Sequence, residues 1–491
     1  MKAITFKNSY YNLGRGFYQS IEPTSVQNPE LIIFNPLLSD ELGLSETAMS
    51  SSAGASVFAG NDVPEGAQPL AMAYSGHQFG HFNPNLGDGR ALLLGQIVSP
   101  GGSSFDIHMK GTGQTAYSRN GDGRAALGPV LREYLVSEAM ARLGVPTTRA
   151  LAAVTTGEEV ARERLLPGGI ITRVGASFVR IGTFEYFLAR GDMAGLTQLA
   201  DYVIEYQYPH LKQAENPYLA LLDAVIEGQA SLIAQWMQLG FIHGVMNTDN
   251  MSIACETIDY GPCAFMDHYA HDRVYSSIDH HGRYAYNNQP NIAIWNLSRF
   301  AECLLHLIDE DTDAAVEIAQ HSLEGFISSY QDHWLTGMRA KLGLNSSLDK
   351  DKALVEELFA IMASSNVDFT LTFYHLSMLD RDASNDDAIL TLFDDAESFA
   401  QWTDKWRQRL RQESSDDDER KARMRGVNPV YIPRNHLIEA AIRSAEDHGD
   451  FSVFHALNDI LQRPYDFQPG KQAYMQPPQP HEIVHKTFCG T

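Results

Sequence analysis

The chain has few cysteines and few basic residues, and each shortage excludes a class of protein. Its 491 residues include only four cysteines, which show no CxxC spacing: Cys255, Cys263, Cys303 and Cys489. That is too few for a disulfide framework or a cysteine-rich zinc site, so we expect a reducing compartment. Basic side chains number 37 against 61 acidic ones, which gives a formal net charge of −24. This negative field repels nucleic acid, and we expect no nucleic-acid partner.

The sequence also lacks long hydrophobic runs. No stretch of about 18 consecutive apolar residues occurs, so we expect no membrane-spanning segment and no membrane partner. The first residues, MKAITFKNSYYNLGRGF, contain neither the apolar stretch of a secretory signal nor the arginines of a transit peptide. We therefore expect a cytoplasmic protein. The hydrophobic content of 44% is typical of an ordered globular chain.

Hydrophobic patterning changes along the chain from strands to helices. The first part predicts an irregular start, a helix with Pro129 in its first turn that ends at Gly144, and strands at Ala91–Val98, Phe105–Lys110, Leu151–Val154, Ile170–Val174 and Phe178–Ile181. After Thr183 the pattern predicts helices, the clearest at Phe184–Tyr206, Tyr218–Leu239 and Ile292–Ile308. From Pro464 the chain is rich in Pro and Gln and predicts an irregular tail.

The most informative motif is HGVMNTDN, His243–Asn250, followed by Asp259 in a DYG triplet. It has the length and end residues of a protein-kinase catalytic loop, H-R-D-x-x-x-x-N, with its D-x-G metal motif. Asn250 and Asp259 are therefore predicted to bind Mg²⁺ or a similar ion. Val245 stands where the catalytic aspartate is expected, and an isopropyl group accepts no proton. Either nucleotide chemistry is absent, or Asp249 next to the metal site serves as the base.

This succession of strands, then helices, with a metal loop just past the join, predicts an α+β class. In particular, it is the layout of a bilobal protein-kinase-like fold with a strand-rich N-lobe and a helical C-lobe. We place the N-terminal extension and N-lobe at 1–183, the C-lobe at 184–463 and the tail at 464–491.

Lys110 and Glu133 match a second feature of kinases. Lys110 ends an alternating strand, and Glu133 lies in the following helix, 23 residues further on. In kinases such a glutamate holds the strand lysine at the nucleotide phosphates. A strand lysine alone is usually just solvated, but the loop motif beside it favours the kinase-like pairing.

Glycines and arginines supply candidate phosphate contacts. The tetrapeptide GDGR occurs at Gly87–Arg90 and again at Gly121–Arg124. Glycine lets backbone amides approach phosphate closely, and arginine offers forked donors, although Asp-Gly is also an ordinary turn pair. Arg173 and Arg180, predicted on adjacent strands, form either an anion pocket or ordinary ion pairs.

Longer segments resemble the selenoprotein O (YdiU) family. The resemblance extends over nearly the whole chain and rests on Tyr74–Arg90, Met109–Met140, Phe241–Ile253, Asp259–Asp267, Asn287–Ala301 and Asn428–Ile442. It implies a kinase-like protein adenylyltransferase that binds ATP in a flipped orientation. Such an enzyme transfers AMP to Ser, Thr or Tyr hydroxyls of proteins and releases pyrophosphate. Some bacterial members are also described as transferring UMP from UTP with Mn²⁺.

The resemblance also assigns residues by matching motif positions. It implies that Asp249 is the proton acceptor, that Glu133 orients Lys110, and that Asn250 and Asp259 bind Mg²⁺ or Mn²⁺. The expected nucleotide and phosphate contacts are Gly87, Gly89, Arg90, Lys110, Asp122, Gly123, Arg173, Arg180 and Asp259.

One departure from the family pattern concerns redox control. The resemblance implies a C-terminal cysteine, matched here by Cys489, paired with a second cysteine in the segment after the metal motif. That segment, 268–284, contains no cysteine, and Tyr275 occupies the place. Cys263 is the nearest substitute, so a disulfide switch is not predicted.

Two other functions fit parts of the pattern. A phosphotransferase with a displaced base would use the same loop frame. A nucleotide-binding pseudokinase scaffold would explain Val245. Retention of Lys110, Glu133, Asn250 and Asp259 argues against the scaffold, because a scaffold has no need of metal ligands.

Overall fold

The computed structural model describes residues 5–382 and 386–487 and has a mixed α+β architecture. The strands are β1 (Tyr18–Ser20), β2 (Glu30–Phe34), β3 (Leu70–Met72), β4 (Gly76–Gln78), β5 (His81–Asn83), β6 (Ala91–Val98), β7 (Ser104–Lys110), β8 (Ala125–Ala126), β9 (Arg149–Ala161), β10 (Leu165–Gly175), β11 (Phe241–Ile242) and β12 (Ala264–Phe265). The helices are α1 (Pro36–Glu41), α2 (Glu46–Met49), α3 (Ser52–Phe58), α4 (Leu127–Arg142), α5 (Ile181–Leu188), α6 (Met193–Tyr206), α7 (Pro217–Leu239), α8 (Gln289–Ile308), α9 (Thr312–Lys341), α10 (Asp351–Ser364), α11 (Phe369–Leu376), α12 (Asp387–Leu390), α13 (Ala396–Leu410), α14 (Asp417–Arg425), α15 (Asn435–His448) and α16 (Ser452–Leu461).

One antiparallel sheet organises the first part of the chain. Its strand order is β1-β3-β6-β7-β10-β9-β2, with β8 paired to β10. Alternation along β7 decides what each face carries, because successive side chains point to opposite sides of a sheet. Ile107 and Met109 pack with α1 and α3 in one apolar cluster. His108 and Lys110 face the other side, where α4 lies across the sheet.

Helices dominate the chain after β10, and the C-terminal helices meet the sheet through α4. The long helices α7, α8 and α9 pack together, and α7 ends at Gly240, whose φ of 70° is the left-handed cap that glycine favours. The chain then enters the HGVMNTDN segment directly. Near the C-terminus, α15 and α16 return to pack on α4, with Tyr134 edge-on to Phe454 at 5.8 Å. The tail includes a short 3-10 turn at Gln472–Met475.

The structure corrects two predicted elements. Phe178–Ile181 is not a strand, because Asp106 accepts from the Phe178 amide at 3.1 Å and α5 already begins at Ile181. The predicted helix Phe184–Tyr206 is two helices, α5 and α6, separated at Gly191 with a φ of 66°. The Asp192 side chain caps α6 by accepting from Gly195 N at 2.9 Å. Short capping contacts therefore outweighed the apolar periodicity.

The other predicted strands and helices lie within or on observed elements of the same type. Across residues 5–382 and 386–487, no helix has both the length and the apolar character needed to cross a membrane.

A buried arginine joins three parts of the helical region. Arg434 is 0% exposed, and its guanidinium contacts Asp267, Asp368 at 2.8 and 3.1 Å, and the Met475 carbonyl at 2.7 Å. Asp267 follows the DYG segment, and Asp368 caps α11. The negative charges of Asp267 and Asp368 are compensated by this arginine.

We predict that Arg434→Ala lowers the free energy of unfolding by about 3–5 kcal/mol, because it leaves two buried carboxylates without their cation. Urea unfolding followed by circular dichroism measures this. Arg423→Ala is the matched control, since Arg423 forms an exposed ion pair with Glu419, and should change stability by less than about 1 kcal/mol. Equal effects of the two variants would contradict the structural role of Arg434.

Candidate active site

A cavity of about 840 Å³ lies between the sheet and the loops that follow α7. It gathers residues that are up to 204 positions apart, from Tyr74 to Ile278. Its lining includes the following predicted site residues: Gly87, Gly89, Arg90, Lys110, Asp122, Gly123, Arg173, Arg180, Asp249, Asn250 and Asp259. The remaining one, Glu133, lines a neighbouring cavity that shares Arg90 and Lys110.

Asp259 is held by three cations. Its carboxylate lies 3.4 Å from Lys110 Nζ, 2.7 Å from Arg173 Nη1 and 3.2 Å from Arg180 Nη1. Burial would raise the pKa of Asp259, but these cations, Arg173 foremost, hold its pKa well below the usual value. Its φ of 58° is unusual for a residue with a side chain, and such backbone strain is concentrated at functional sites.

Glu133 binds two of the same cations from the side of α4. Its Oε2 lies 2.6 Å from Lys110 Nζ, and its Oε1 lies 3.0 Å from Arg173 Nη1. The lysine on β7 and the glutamate on α4 therefore meet, as the sequence pattern predicts. With Asp259 included, three positive and two negative groups form one buried cluster, which leaves a net positive charge.

Arg173 reaches this cluster from its predicted strand, whereas Arg180 does not. Arg173 lies on β10, but Arg180 is the N-cap residue of α5 and not part of an adjacent strand. Arg180 also stacks over the Tyr74 ring at 4.5 Å. Each arginine keeps one buried N–H without an acceptor among the described residues, Arg173 Nε and Arg180 Nη2. Buried donors of this kind suit an anionic ligand.

The loop around His243 is held rigidly by its own side chains. His243 Nε2 donates to the Ile258 carbonyl at 2.8 Å, and its ring stacks on Trp236. Asn247 Oδ1 accepts from Phe79 N at 3.1 Å and from the Tyr284 hydroxyl at 2.6 Å. His243 and Asn247 therefore order the loop.

Asp249 is the acidic group of this loop that remains able to accept a proton. Its Oδ2 accepts from Gln78 Nε2 at 3.2 Å, while Oδ1 is buried without a hydrogen-bond partner. Burial raises the pKa of Asp249 to about 6, against the opposing attraction of Arg180. Arg180 Nη1 also donates to the Asp249 carbonyl at 3.0 Å, so one guanidinium connects the Asp249 and Asp259 loops.

Asn250 and Asp259 could bind a divalent cation whose other ligands are phosphate oxygens and water. Asn250 Nδ2 donates to the Val245 carbonyl at 3.0 Å, which leaves the side-chain oxygen for another partner. Among the described residues no group of three or more His, Cys, Asp or Glu side chains could hold a metal. One carboxylate and one amide oxygen, completed by phosphate oxygens and water, suit Mg²⁺ or Mn²⁺.

The two GDGR segments differ in what their side chains do. In the first, Asp88 is buried and accepts from Met72 N at 3.1 Å. In the second, Asp122 is partly exposed and its carboxylate binds Arg162 at 2.8 and 3.1 Å. Arg124 donates to the carbonyls of Thr24 and Ser25.

Close approach explains one glycine in each segment. A Cβ on Gly87, at a φ of 66°, would lie 2.2 Å from the Tyr117 ring. A Cβ on Gly123, at a φ of 67°, would lie 2.1 Å from the Gly113 backbone. The loop 111–123, which follows β7, therefore packs against the first GDGR segment, and Tyr117 joins the cavity lining.

Sequence reasoning missed several residues of the site. Gln78 on β4 contacts Asp249, Tyr74 stacks on Arg180, and His108 contacts Arg173. His108 had a usable signal, because it alternates onto the same face of β7 as Lys110. Gln78 had none, because its contact depends on how β4 and β5 dock against the Asn247–Asp249 loop.

The three cysteines among the described residues form no disulfide bond. Cys255, Cys263 and Cys303 are buried, and Cys489 lies outside the described residues. Tyr275, at the position of the missing cysteine, accepts a hydrogen bond from the Thr487 amide at 2.8 Å. The tail therefore reaches this segment through its backbone.

Proteins similar in sequence to this chain are nucleotidyltransferases, which agrees with a cavity suited to phosphate. The family model described as "Protein adenylyltransferase SelO" matches residues 1–462. The chain belongs to the SelO family. It is 56% identical to "Protein nucleotidyltransferase YdiU" of Rhizobium etli over 489 residues, which cover 100% of this chain and 98% of the relative. It is 55% identical to the protein of that name from Rhizobium meliloti, with 100% of both chains covered. This SelO-family chain is thus an enzyme of nucleotidyl transfer.

We predict that Asp259→Asn raises the affinity for pyrophosphate in the absence of metal by about tenfold. The neutral amide no longer competes with the anion for Lys110, Arg173 and Arg180. Isothermal titration calorimetry in EDTA measures this affinity. Asp332→Asn removes the same formal charge from an exposed position of α9 and should leave the affinity within about twofold of the original. Unchanged or weaker binding by Asp259→Asn would disprove the competition.

Proposed function

We propose that this enzyme is an AMPylator, which transfers AMP from ATP to Ser, Thr or Tyr hydroxyls of protein substrates and releases pyrophosphate. The adenylyltransferase description of the family supports both the nucleotide and the protein substrate. The single observation that carries the proposal concerns the contents of one cavity. The cavity contains the three cations that bind Asp259 and, separately, Asp249, whose buried Oδ1 has no hydrogen-bond partner among the described residues.

That separation favours transfer of the nucleotidyl group over transfer of the γ-phosphate. Lys110, Arg173 and Arg180 would hold the β- and γ-phosphates in the buried half of the cavity, because buried phosphate charge needs compensating donors. Arg90, the glycines of the GDGR segments and Asp122 would contact the rest of the nucleotide. The α-phosphorus would then lie toward Asp249 and Asn250.

Attack proceeds from the acceptor hydroxyl. Its oxygen forms a bond to the α-phosphorus, the bond from that phosphorus to the bridging oxygen of the β-phosphate breaks, and pyrophosphate leaves with the electron pair. Asp249 Oδ1 takes the hydroxyl proton, a role that Val245 cannot perform. Lys110 and the two arginines stabilise negative charge on the departing pyrophosphate.

A divalent cation fits this scheme as a second source of positive charge. Asn250 and Asp259 would hold Mg²⁺ or Mn²⁺, which neutralises charge on the phosphate oxygens when bound. Asp259 becomes available to a metal when the phosphates take over its three cations. Glu133 keeps Lys110 in place throughout.

We also propose that the architecture is the bilobal one of protein kinases. The sheet with α4 corresponds to an N-lobe within 1–183, the helices to a C-lobe within 184–463, and 464–491 to a tail. The meeting of Lys110 with Glu133, and the position of the Asp249 loop directly after α7 and β11, support this division.

Transfer of UMP from UTP is a second candidate activity. The relatives from Rhizobium carry the broader name nucleotidyltransferase, which does not specify the base. The contacts proposed for Lys110, Arg173 and Arg180 address phosphates, which ATP and UTP share.

Labelled nucleotides test the proposal. With Mg²⁺ or Mn²⁺ and casein as acceptor, we expect protein-bound label from ATP labelled at the α-phosphorus and none from ATP labelled at the γ-phosphorus. EDTA should abolish incorporation of the label, because it removes the divalent cation that the proposed reaction requires. Label from the γ position would establish a kinase instead, and α-labelled UTP reports on the second candidate.

A substitution of the proposed base separates chemistry from binding. Asp249→Asn keeps the shape of the side chain and should lower kcat for AMP transfer about 10²- to 10⁴-fold, while the Kd for a nonhydrolysable ATP analogue stays within about threefold. Single-turnover kinetics and calorimetry measure the two quantities, with Asp332→Asn as the control. A parallel loss of kcat and affinity would assign Asp249 to nucleotide binding.

A further inference from the structure

His108 is a fully buried polar residue for which the proposed reaction has no role. It lies on β7 two positions before Lys110, on the same face of the sheet, and is 0% exposed. Its ring stacks on Phe178, with 4.3 Å between ring centroids. In the antiparallel pairing of β7 with β10 it lies directly opposite Arg173. Opposed residues of neighbouring strands carry their side chains on one face, so the imidazole and the guanidinium meet there.

Both ring nitrogens of His108 have partners, and those partners decide its protonation. Nδ1 lies 3.0 Å from Arg173 Nη2, and Nε2 lies 3.1 Å from Asp88 Oδ2. A guanidinium nitrogen only donates, so Nδ1 must accept, and the ring proton is on Nε2 and points to Asp88. The ring is therefore neutral. Burial, which lowers the pKa of His108, favours this form, as does the adjacent Arg173 charge, against the opposing attraction of Asp88.

Asp88 is itself anchored. It accepts from the Met72 amide at 3.1 Å through the same oxygen that meets His108, and its side chain is 2% exposed. A continuous series of hydrogen bonds thus leads from the backbone of β3 through Asp88 and His108 to Arg173.

The guanidinium of Arg173 needs this additional hydrogen bond, because both of its carboxylate partners contact the same nitrogen. Nη1 binds both Glu133, at 3.0 Å, and Asp259, at 2.7 Å. Two carboxylates on one nitrogen leave the plane of the guanidinium free to turn about that nitrogen. The acceptor at His108 Nδ1 holds Nη2, and the two ends together define the orientation of the remaining Nε–H, which has no partner.

From this geometry we propose that His108, anchored by Asp88, is a positioning residue that orients the Arg173 guanidinium toward the triphosphate of the bound nucleotide. The proposal rests on the proposed function, because it assumes that Arg173 contacts the β- or γ-phosphate. His108 touches neither substrate nor metal ligand and acts through Arg173 alone. The neutral ring is essential to this role, because an acceptor must face the arginine.

Two polar substitutions test which ring nitrogen matters. The amide of His108→Asn lies near the place of Nδ1 and can still accept from Arg173, whereas the amide of His108→Gln extends to the place of Nε2 and reaches Asp88. We expect the Kd of a nonhydrolysable ATP analogue to rise about tenfold in His108→Gln and to stay within about threefold in His108→Asn. The Kd of AMP, which lacks the β- and γ-phosphates, should stay within about twofold in both.

A double-mutant cycle gives the matched control for this pathway. Arg173→Lys alone should weaken analogue binding, and adding His108→Gln should cause no further loss, because the residue through which His108 acts is gone. Thr172→Val alters the neighbouring buried position of β10 on the opposite face and should leave both dissociation constants within about twofold. Thermal unfolding of every variant confirms that each one is folded.

The outcomes separate this proposal from the proposed function. If Arg173→Lys leaves analogue binding unchanged, the phosphate clamp of the proposed function is wrong, and the role of His108 falls with it. If Arg173→Lys weakens binding while His108→Gln does not, the role of His108 alone is wrong. The role of His108 is also wrong if His108→Asn loses more affinity than His108→Gln, or if the affinity for AMP falls in parallel with that for the ATP analogue. It is likewise wrong if the losses caused by Arg173→Lys and His108→Gln add in the double variant.

Discussion

The buried charge cluster around Asp259 is the constraint on which the rest of the site depends. Three cations from three different elements converge on this carboxylate, and Glu133 binds two of them from behind. Without anions, the cations would repel one another at close range, because burial weakens the screening of their charges. Without the cations, a buried carboxylate at this position would be costly. The site is therefore assembled by mutual compensation, and in the proposed reaction a polyphosphate replaces Asp259 as the partner of the cations.

The same cluster explains how a loop that lacks the expected catalytic aspartate remains suited to phosphate chemistry. Val245 lines the cavity, and its side chain accepts no proton. Arg180 instead connects the backbone of Asp249 to the side chain of Asp259. The proposed base and the proposed metal ligand are thereby held at a common guanidinium. Glu133 and the Asp88–His108 pair form a second layer, which holds Lys110 and Arg173 in place.

Particular elements show where prediction from the sequence succeeds. The strands β6 and β7 and the helices α7 and α8 carry long apolar patterns, and packing agrees with local preference there. The break between α5 and α6 and the start of α5 at Ile181 were missed, because single hydrogen bonds from backbone amides to Asp192 and Asp106 decide them. Arg180 was expected on a strand and instead caps the start of a helix, yet it still lines the same cavity as Arg173. The roles of the site residues stay predictions, although the structure brings them to one cavity.

The sequence by itself determined the fold class, the motif residues and the charge that a phosphate pocket requires. Hydrophobic periodicity and motif spacing are local properties, and they can be recognised without knowing which segments meet. Only the tertiary structure decided that Gln78 binds Asp249, that Arg124 points away to the Thr24 carbonyl while Arg180 enters the cluster, and that His108 presents an acceptor to Arg173. These contacts join residues up to 171 positions apart. They depend on strand register and on the docking of loops, which no local pattern encodes.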